Sequence, residues 1–123
     1  MAVKEVNKDN FAEEILDSNQ LCVVKFWHDQ CPLCVGLKKP FHDLSEKYEN
    51  DFKFISIDSH KNYDFVKEYL DGGVPTISVF RKDKFSIVPY PENPNEQTGY
   101  IISELDEYLD KFSKVFRHLM ENL

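Results

Sequence analysis

Only three cysteines occur in the 123 residues, an odd number that cannot pair completely within the chain. A stapling disulfide framework is excluded on that count, and a reducing compartment, the cytoplasm, is the expected setting. The opening residues Met1-Ala2-Val3-Lys4-Glu5-Val6-Asn7 lack a basic stretch followed by an apolar one, and no run approaches the roughly 20 apolar residues of a membrane-crossing helix. No membrane partner is expected. Positive charge is scarce too: 15 Lys and Arg against 22 Asp and Glu leave a formal net charge of −7. The basic residues are scattered without forming a stripe, which removes the footprint that nucleic acid or an anionic lipid surface would require. Internal repeats and low-complexity segments are absent.

What is present suffices for one domain, since a chain of this length with 41% hydrophobic residues can bury a core without staples. Val3 to Val6 reads as a short strand, after which Asn7 or Asp9 can cap a helix with Phe11, Ile15 and Leu16 on one face. Leu21 to Trp27 is almost uniformly apolar, the pattern of a central strand covered on both faces. Leu33, Leu37, Phe41, Leu44 and Tyr48 then recur at helical spacing, with Pro40 expected to kink the helix. Phe52 to Asp58 reads as a second central strand, Tyr63 to Leu70 as a helix closed by Gly72-Gly73, and Thr76–Phe80 with Phe85–Tyr90 as a hairpin. A Pro- and Asn-rich loop from Pro91 to Thr98 precedes a last helix starting near Gly99. The order describes an α/β domain whose mixed sheet is parallel first and antiparallel where the hairpin joins.

Chemistry concentrates at Cys31-Pro32-Leu33-Cys34, where the strand Leu21–Trp27 hands over to a helix. Unpaired N–H groups and the helix dipole stabilise an anion at that point, so the first thiol is expected to ionise near neutral pH and act as a nucleophile. The second, one turn on, can close a disulfide, and Pro32 suits the first helical turn. Two other uses of the pair compete. Cysteines of this spacing form half of a zinc site, and His28 extends the run to His-x-x-Cys-x-x-Cys, but no second pair of ligands follows: Cys22 is alone, and His42, His60 and His118 have no ligand spacing. Simple packing would account for Cys22, a small hydrophobe in its strand, but not for Pro32 at a strand-to-helix junction. No metal is expected. Downstream, Gly73-Val74-Pro75-Thr76 places a proline directly before an apolar strand, which suits either an ordinary turn or a cis peptide bond.

Together these features resemble the thioredoxin fold, and the resemblance covers roughly residues 3 to 112. Phe26-Trp27 before the dithiol, Ser56-Ile57-Asp58 closing a strand, Val74-Pro75-Thr76 and the terminal helix follow the family pattern in order and spacing. The resemblance implies a central mixed sheet with helices on both faces and a thiol–disulfide oxidoreductase that needs no cofactor. Cys31 would be the attacking thiolate, Cys34 the resolving thiol, Pro75 a cis residue against the disulfide, the Val74 backbone the edge that pairs with a bound substrate chain, and Trp27 a shield over the site. Protein disulfides would be the substrates, with electrons from a thioredoxin reductase or a small thiol. A binding or adaptor module with an idle dithiol is the alternative.

Several positions depart from the family. Pro32-Leu33 between the cysteines matches neither the thioredoxins nor the disulfide isomerases, Gln30 replaces the usual tryptophan, and Lys25 stands where the family carries a buried acid that moves the resolving thiol's proton. Its ammonium would either reach the site's edge or sit desolvated, tuning the thiols together with His28. The last helix would usually stop near Phe112, leaving residues 113–123 as an extension of the domain. Ile102, Leu105, Leu109, Phe112, Phe116, Leu119 and Leu123 continue a seam of three- and four-residue steps through it. Either the long helix lies on its own sheet, or Phe116, Leu119, Met120 and Leu123 overhang and bind a second copy or another protein.

Overall fold

In a computed structural model that describes residues 3–122, alternation along the strands sorts the side chains onto two faces of one sheet. Five strands, β1 (Val3–Val6), β2 (Leu21–Trp27), β3 (Phe52–Asp58), β4 (Thr76–Arg81) and β5 (Lys84–Ile87), lie in the order β1-β3-β2-β4-β5. The β1–β3 and β2–β3 pairs are parallel and the β2–β4 and β4–β5 pairs antiparallel. On one face Leu21, Val23, Phe52, Phe54, Ile77 and Val79 meet α1 (Pro32–Lys47) and α3 (Ile102–Glu121) through Leu37, Phe41, Leu44, Leu105 and Leu109. On the other, Cys22, Val24, Phe26, Ile55, Ile57 and Phe80 meet Phe11 and Ile15 and the short helix α2 (Tyr63–Val66). This is the expected mixed sheet with helices on both faces.

Local departures from the sequence pattern have local causes. The first helix is one π-type turn, Ala12–Leu16, entered through a turn in which Asn7 Oδ1 accepts from Asp9 N and Asn10 Oδ1 from Asn7 N, both at 2.8 Å. Phe11 and Ile15 still reach the core. The helix expected over Tyr63–Leu70 ends as an α-helix at Val66 and tightens into a 3₁₀ turn, Lys67–Tyr69, before Leu70 turns extended. In the hairpin β5 stops at Ile87 rather than Tyr90, since Pro89 and Pro91 have no N–H to offer a ladder. Helix α3 begins at Ile102, with Tyr100 packed beneath it and its hydroxyl accepting from Ile77 N at 2.9 Å.

Helix α3 is continuous past Phe112, and the extension is only partly free. Phe112 and Phe116 pack against the core cluster, Arg81 lies over the Phe116 ring 5.4 Å from its centre, and Arg117 pairs with Asp51. Phe116 therefore does not overhang; Val115, Leu119 and Met120 are the exposed apolar residues there, and Leu123 lies outside the described residues. Among the described residues no helix is long and apolar enough to cross a membrane.

Two stability measurements follow from this packing. At Gly36 in α1 an added Cβ would fall on the Gln97 carbonyl oxygen, so the helix and the loop before α3 touch through bare backbone. Alanine favours a helix over glycine by about 1 kcal/mol, yet Gly36→Ala is expected to lower stability in urea by about 1–3 kcal/mol, the usual cost of overpacking; a rise would show that the loop yields. Truncation after Lys114 removes the Phe116 contact as well as the exposed Arg117–Asp51 pair. It is expected to cost about 1–2 kcal/mol, nearly all of it from Phe116, and an unchanged urea midpoint would show that the last two turns hold nothing down.

Candidate functional site

Strand β2 ends at Trp27, and its carbonyl is held by Ser59, whose N–H and hydroxyl donate to it at 2.8 and 2.9 Å. Asp58 at the tip of β3 secures that turn in the same way, accepting from His60 N at 2.9 Å and Lys61 N at 3.1 Å. From this fixed rim the chain turns through His28–Gln30, with Cys31 N donating to the His28 carbonyl at 3.1 Å, and enters α1 at Pro32. Cys31 is the N-cap: its backbone is extended, and its sulfur accepts the Cys34 N–H at 3.2 Å.

The two thiols differ sharply in environment. Cys31 is half-buried, and its Sγ lies 3.9 Å from the Val74 carbonyl oxygen; Cys34 is 2% exposed. Burial, then the contact with the Cys31 sulfur, pushes the Cys34 thiol up to about 12, against a smaller opposing pull from the His28 backbone and Lys25. Cys22 is buried on the opposite face of the sheet, and desolvation raises its thiol as well. All three cysteines are free. The loop that brings Val74 to Cys31 is locked from within, with the Thr76 hydroxyl donating to the Gly73 carbonyl at 2.6 Å and Oγ1 accepting from Asp71 N at 3.3 Å. The Val74–Pro75 bond is cis.

Trp27, Val74, Pro75 and the thiols of Cys31 and Cys34 thus meet at one end of the sheet. His28 stands at the same end but is engaged elsewhere: its ring stacks on His60 with 4.5 Å between centres, and its Nδ1, 3.3 Å from Asp29 Oδ1, is not aligned to bond it. His28, Cys31 and Cys34 do not converge as a ligand set. Among the described residues the only such group is His42, Asp43 and Glu46, on the exposed face of α1 about two turns beyond Cys34.

Lys25 lies beneath the dithiol, 5% exposed, with its ammonium 4.9 Å from the centre of the Phe41 ring. Of the two expected placements the desolvated one holds, and burial moves its pKa down from the ordinary lysine value. It lines a groove of about 1050 Å³ between α1 and the β1 side of the sheet, together with Glu5, Trp27, Cys34, Val35 and Phe41. Glu5 is the member that the motifs do not point to. Its Oε2 accepts from the Trp27 indole at 3.4 Å, and desolvation raises its carboxyl above the usual range against the pull of Trp27, Ser56 and Lys25. The available signal was the alternation of β1, which puts Val3 and Glu5 on one face, but only the register against β3 shows what that face meets.

A family profile described as thioredoxin aligns with residues 2–106, the span that holds these elements. The chain belongs to the thioredoxin family. It is 27% identical to the thioredoxin of Pyropia yezoensis over 66% of this chain and 76% of that protein. It is 25% identical to thioredoxin 1 of a Nostoc species over 65% and 75% respectively. Protein disulfide-isomerase 2-3 of Arabidopsis thaliana is 28% identical over 70% of this chain, a stretch that makes up 20% of that longer protein. At family level the activity is that of a thiol–disulfide oxidoreductase.

Unequal burial makes the thiols of this thioredoxin-family chain distinguishable by reagent. Brief alkylation with iodoacetamide at pH 7, followed by peptide mass mapping, is expected to label Cys31 and to spare Cys34 and Cys22. Faster labelling of Cys34 would reverse the assignment.

Proposed function

We propose that this protein reduces or exchanges disulfides of other proteins, with Cys31 as the attacking thiolate and Cys34 as the resolving thiol. The supporting observation is the asymmetry at the helix cap: one sulfur is partly open to solvent and accepts an amide N–H, while the other is enclosed behind it with its proton held. Attack by Cys31 on a substrate disulfide forms a mixed disulfide and releases one substrate thiolate. Cys34 then attacks Cys31, releasing the second and leaving Cys31–Cys34 oxidised.

Val74 supports the docking half of the reading. Its carbonyl faces the attacking sulfur, so a substrate chain laid along Val74 would bring its disulfide to Cys31 with backbone hydrogen bonds for affinity. The chemistry requires no cofactor within the domain; a reductase or a small thiol returns the electrons. Three free thiols suit a reducing compartment, and we place the protein in the cytoplasm. The exposed Val115, Leu119 and Met120 are what α3 would offer a second copy.

Insulin reduction with dithiothreitol as donor tests the activity. Cys31→Ser is expected to abolish turnover, while Cys34→Ser mixed with insulin in the absence of dithiothreitol retains a covalent mixed disulfide with the insulin chains, visible on a non-reducing gel. Background turnover by the parent protein, with no trapped adduct in Cys34→Ser, would leave a binding module in which the dithiol is idle.

A further inference from the structure

The resolving step has an unmet requirement. Cys34 must lose a proton to attack Cys31, yet it is enclosed, its thiol is held far above neutral, and the side chain that β2 places beneath it is Lys25 and not an acid. Whatever takes that proton must reach Cys34 from the groove side.

The register supplies two groups in a row. Glu5 on β1 pairs with Ser56 on β3, and Ser56 pairs with Lys25 on β2, so three side chains project side by side from the face that α1 covers. The same groove is lined by Glu5, Ser56, Lys25 and Cys34, which connects all four to solvent. Trp27 fixes the Glu5 carboxylate from its edge. Lys25 appears in none of the ion pairs among the described residues, so its nitrogen is not committed to a fixed partner. The groups that face it are Cys34 and Lys38 from α1 and Glu5 from β1, while Asp58 of β3 acts on Glu5, and β4 presents only Ile77.

Resting on the oxidoreductase reading above, we propose that Lys25 is the base of the resolving step and that Glu5 is its positioning residue, a relay with the polarity of a buried acid reversed. The Lys25 amine takes the proton from Cys34 Sγ. The Cys34 sulfur then bonds to the Cys31 sulfur, the bond between Cys31 and the substrate breaks, and the substrate sulfur leaves with the electron pair as a thiolate. The Lys25 ammonium, stabilised meanwhile by the field of the Glu5 carboxylate two strands away, releases its proton through the groove to water or to the departing thiolate. The dithiol is oxidised and the substrate reduced, with no further reactant. Desolvation favours this use, because a lowered lysine pKa places more of the amine within reach of neutral pH.

The test is a single turnover that isolates resolution. The protein is converted to its Cys31 mixed disulfide with thionitrobenzoate, and release of the coloured thiolate is followed at 412 nm from pH 6 to 10. In the parent protein the rate is expected to rise with pH and level off as Lys25 becomes neutral. Lys25→Met is expected to be slower by about a hundredfold at pH 7, the low end of what a positioned base contributes, and to lose the inflection. Lys25→Arg keeps the charge but cannot give up its proton; it should be as slow as the methionine variant. Glu5→Gln removes the charge that stabilises the ammonium, so its inflection should move to lower pH, and Glu5→Asp should return it toward the parent value. Parent-like rates and profiles in both Lys25 variants, or a parent-like rate in Lys25→Arg alone, would overturn the relay in favour of a passive or purely electrostatic lysine. An unmoved inflection in Glu5→Gln would remove Glu5 from it. A parent adduct that retains its thionitrobenzoate as firmly as the Cys34→Ser adduct would instead sink the oxidoreductase reading itself, and the relay with it.

Discussion

Everything at the site depends on where α1 is held. Leu37 and Phe41 are fully buried and Leu44 nearly so, one stripe at helical spacing pressed onto the β2–β3 face of the sheet. At about 1.5–3 kcal/mol per buried side chain of this size, that stripe outweighs the Cys34–Cys31 hydrogen bond, worth about 1 kcal/mol net. The cap therefore does not position the helix. The helix positions the cap, and through it aims one sulfur outward and the other inward. Gly36 adds a second restraint on the same element, letting the backbone at Gln97 close against it where any side chain would intervene.

The parts that were legible in the sequence are those whose cause is local. The almost uniformly apolar Leu21–Trp27 reads as a strand covered on both sides, and β2 is that. A cysteine followed by proline at the start of a helical pattern could only be a cap and a first turn. Where the cause is non-local, legibility ended. Nothing in the Pro91–Thr98 composition says that Gln97 meets Gly36, and nothing in Val3–Val6 says that Glu5 faces Lys25, since that neighbourhood exists only once β3 is inserted between their strands. The same limit applies to α3. Its seam of apolar residues is visible in the sequence, but whether Phe116 faces water or its own sheet depends on Arg81 and the β4–β5 hairpin, which close over that end of the helix.

The electrostatics of the site follow from a trade between burial and charge. A lysine placed in an apolar strand is costly as an ammonium, and the fold answers with an aromatic face, a carboxylate two strands away and an opening to solvent, not with a tight ion pair. A tight pair would commit the ammonium, and a committed ammonium does not readily make the proton exchange that the proposed relay requires. Glu5, exposed on the edge strand with its carboxyl raised by desolvation, is a soft counter-charge of the same kind.

The two ends of the sheet, β1 and β5, are both four residues long, and each carries lysine: Lys4 on the first, Lys84 on the second. Short, charged borders are poor templates for another chain to extend, so the sheet resists growing sideways into aggregates. The exposed backbone that remains beside a reactive group lies at the Val74 loop, across the strand ends and not along a strand edge. The architecture thereby separates two kinds of backbone pairing: the indiscriminate kind is blunted at the borders, and the kind proposed for substrate docking is confined to a few residues beside Cys31.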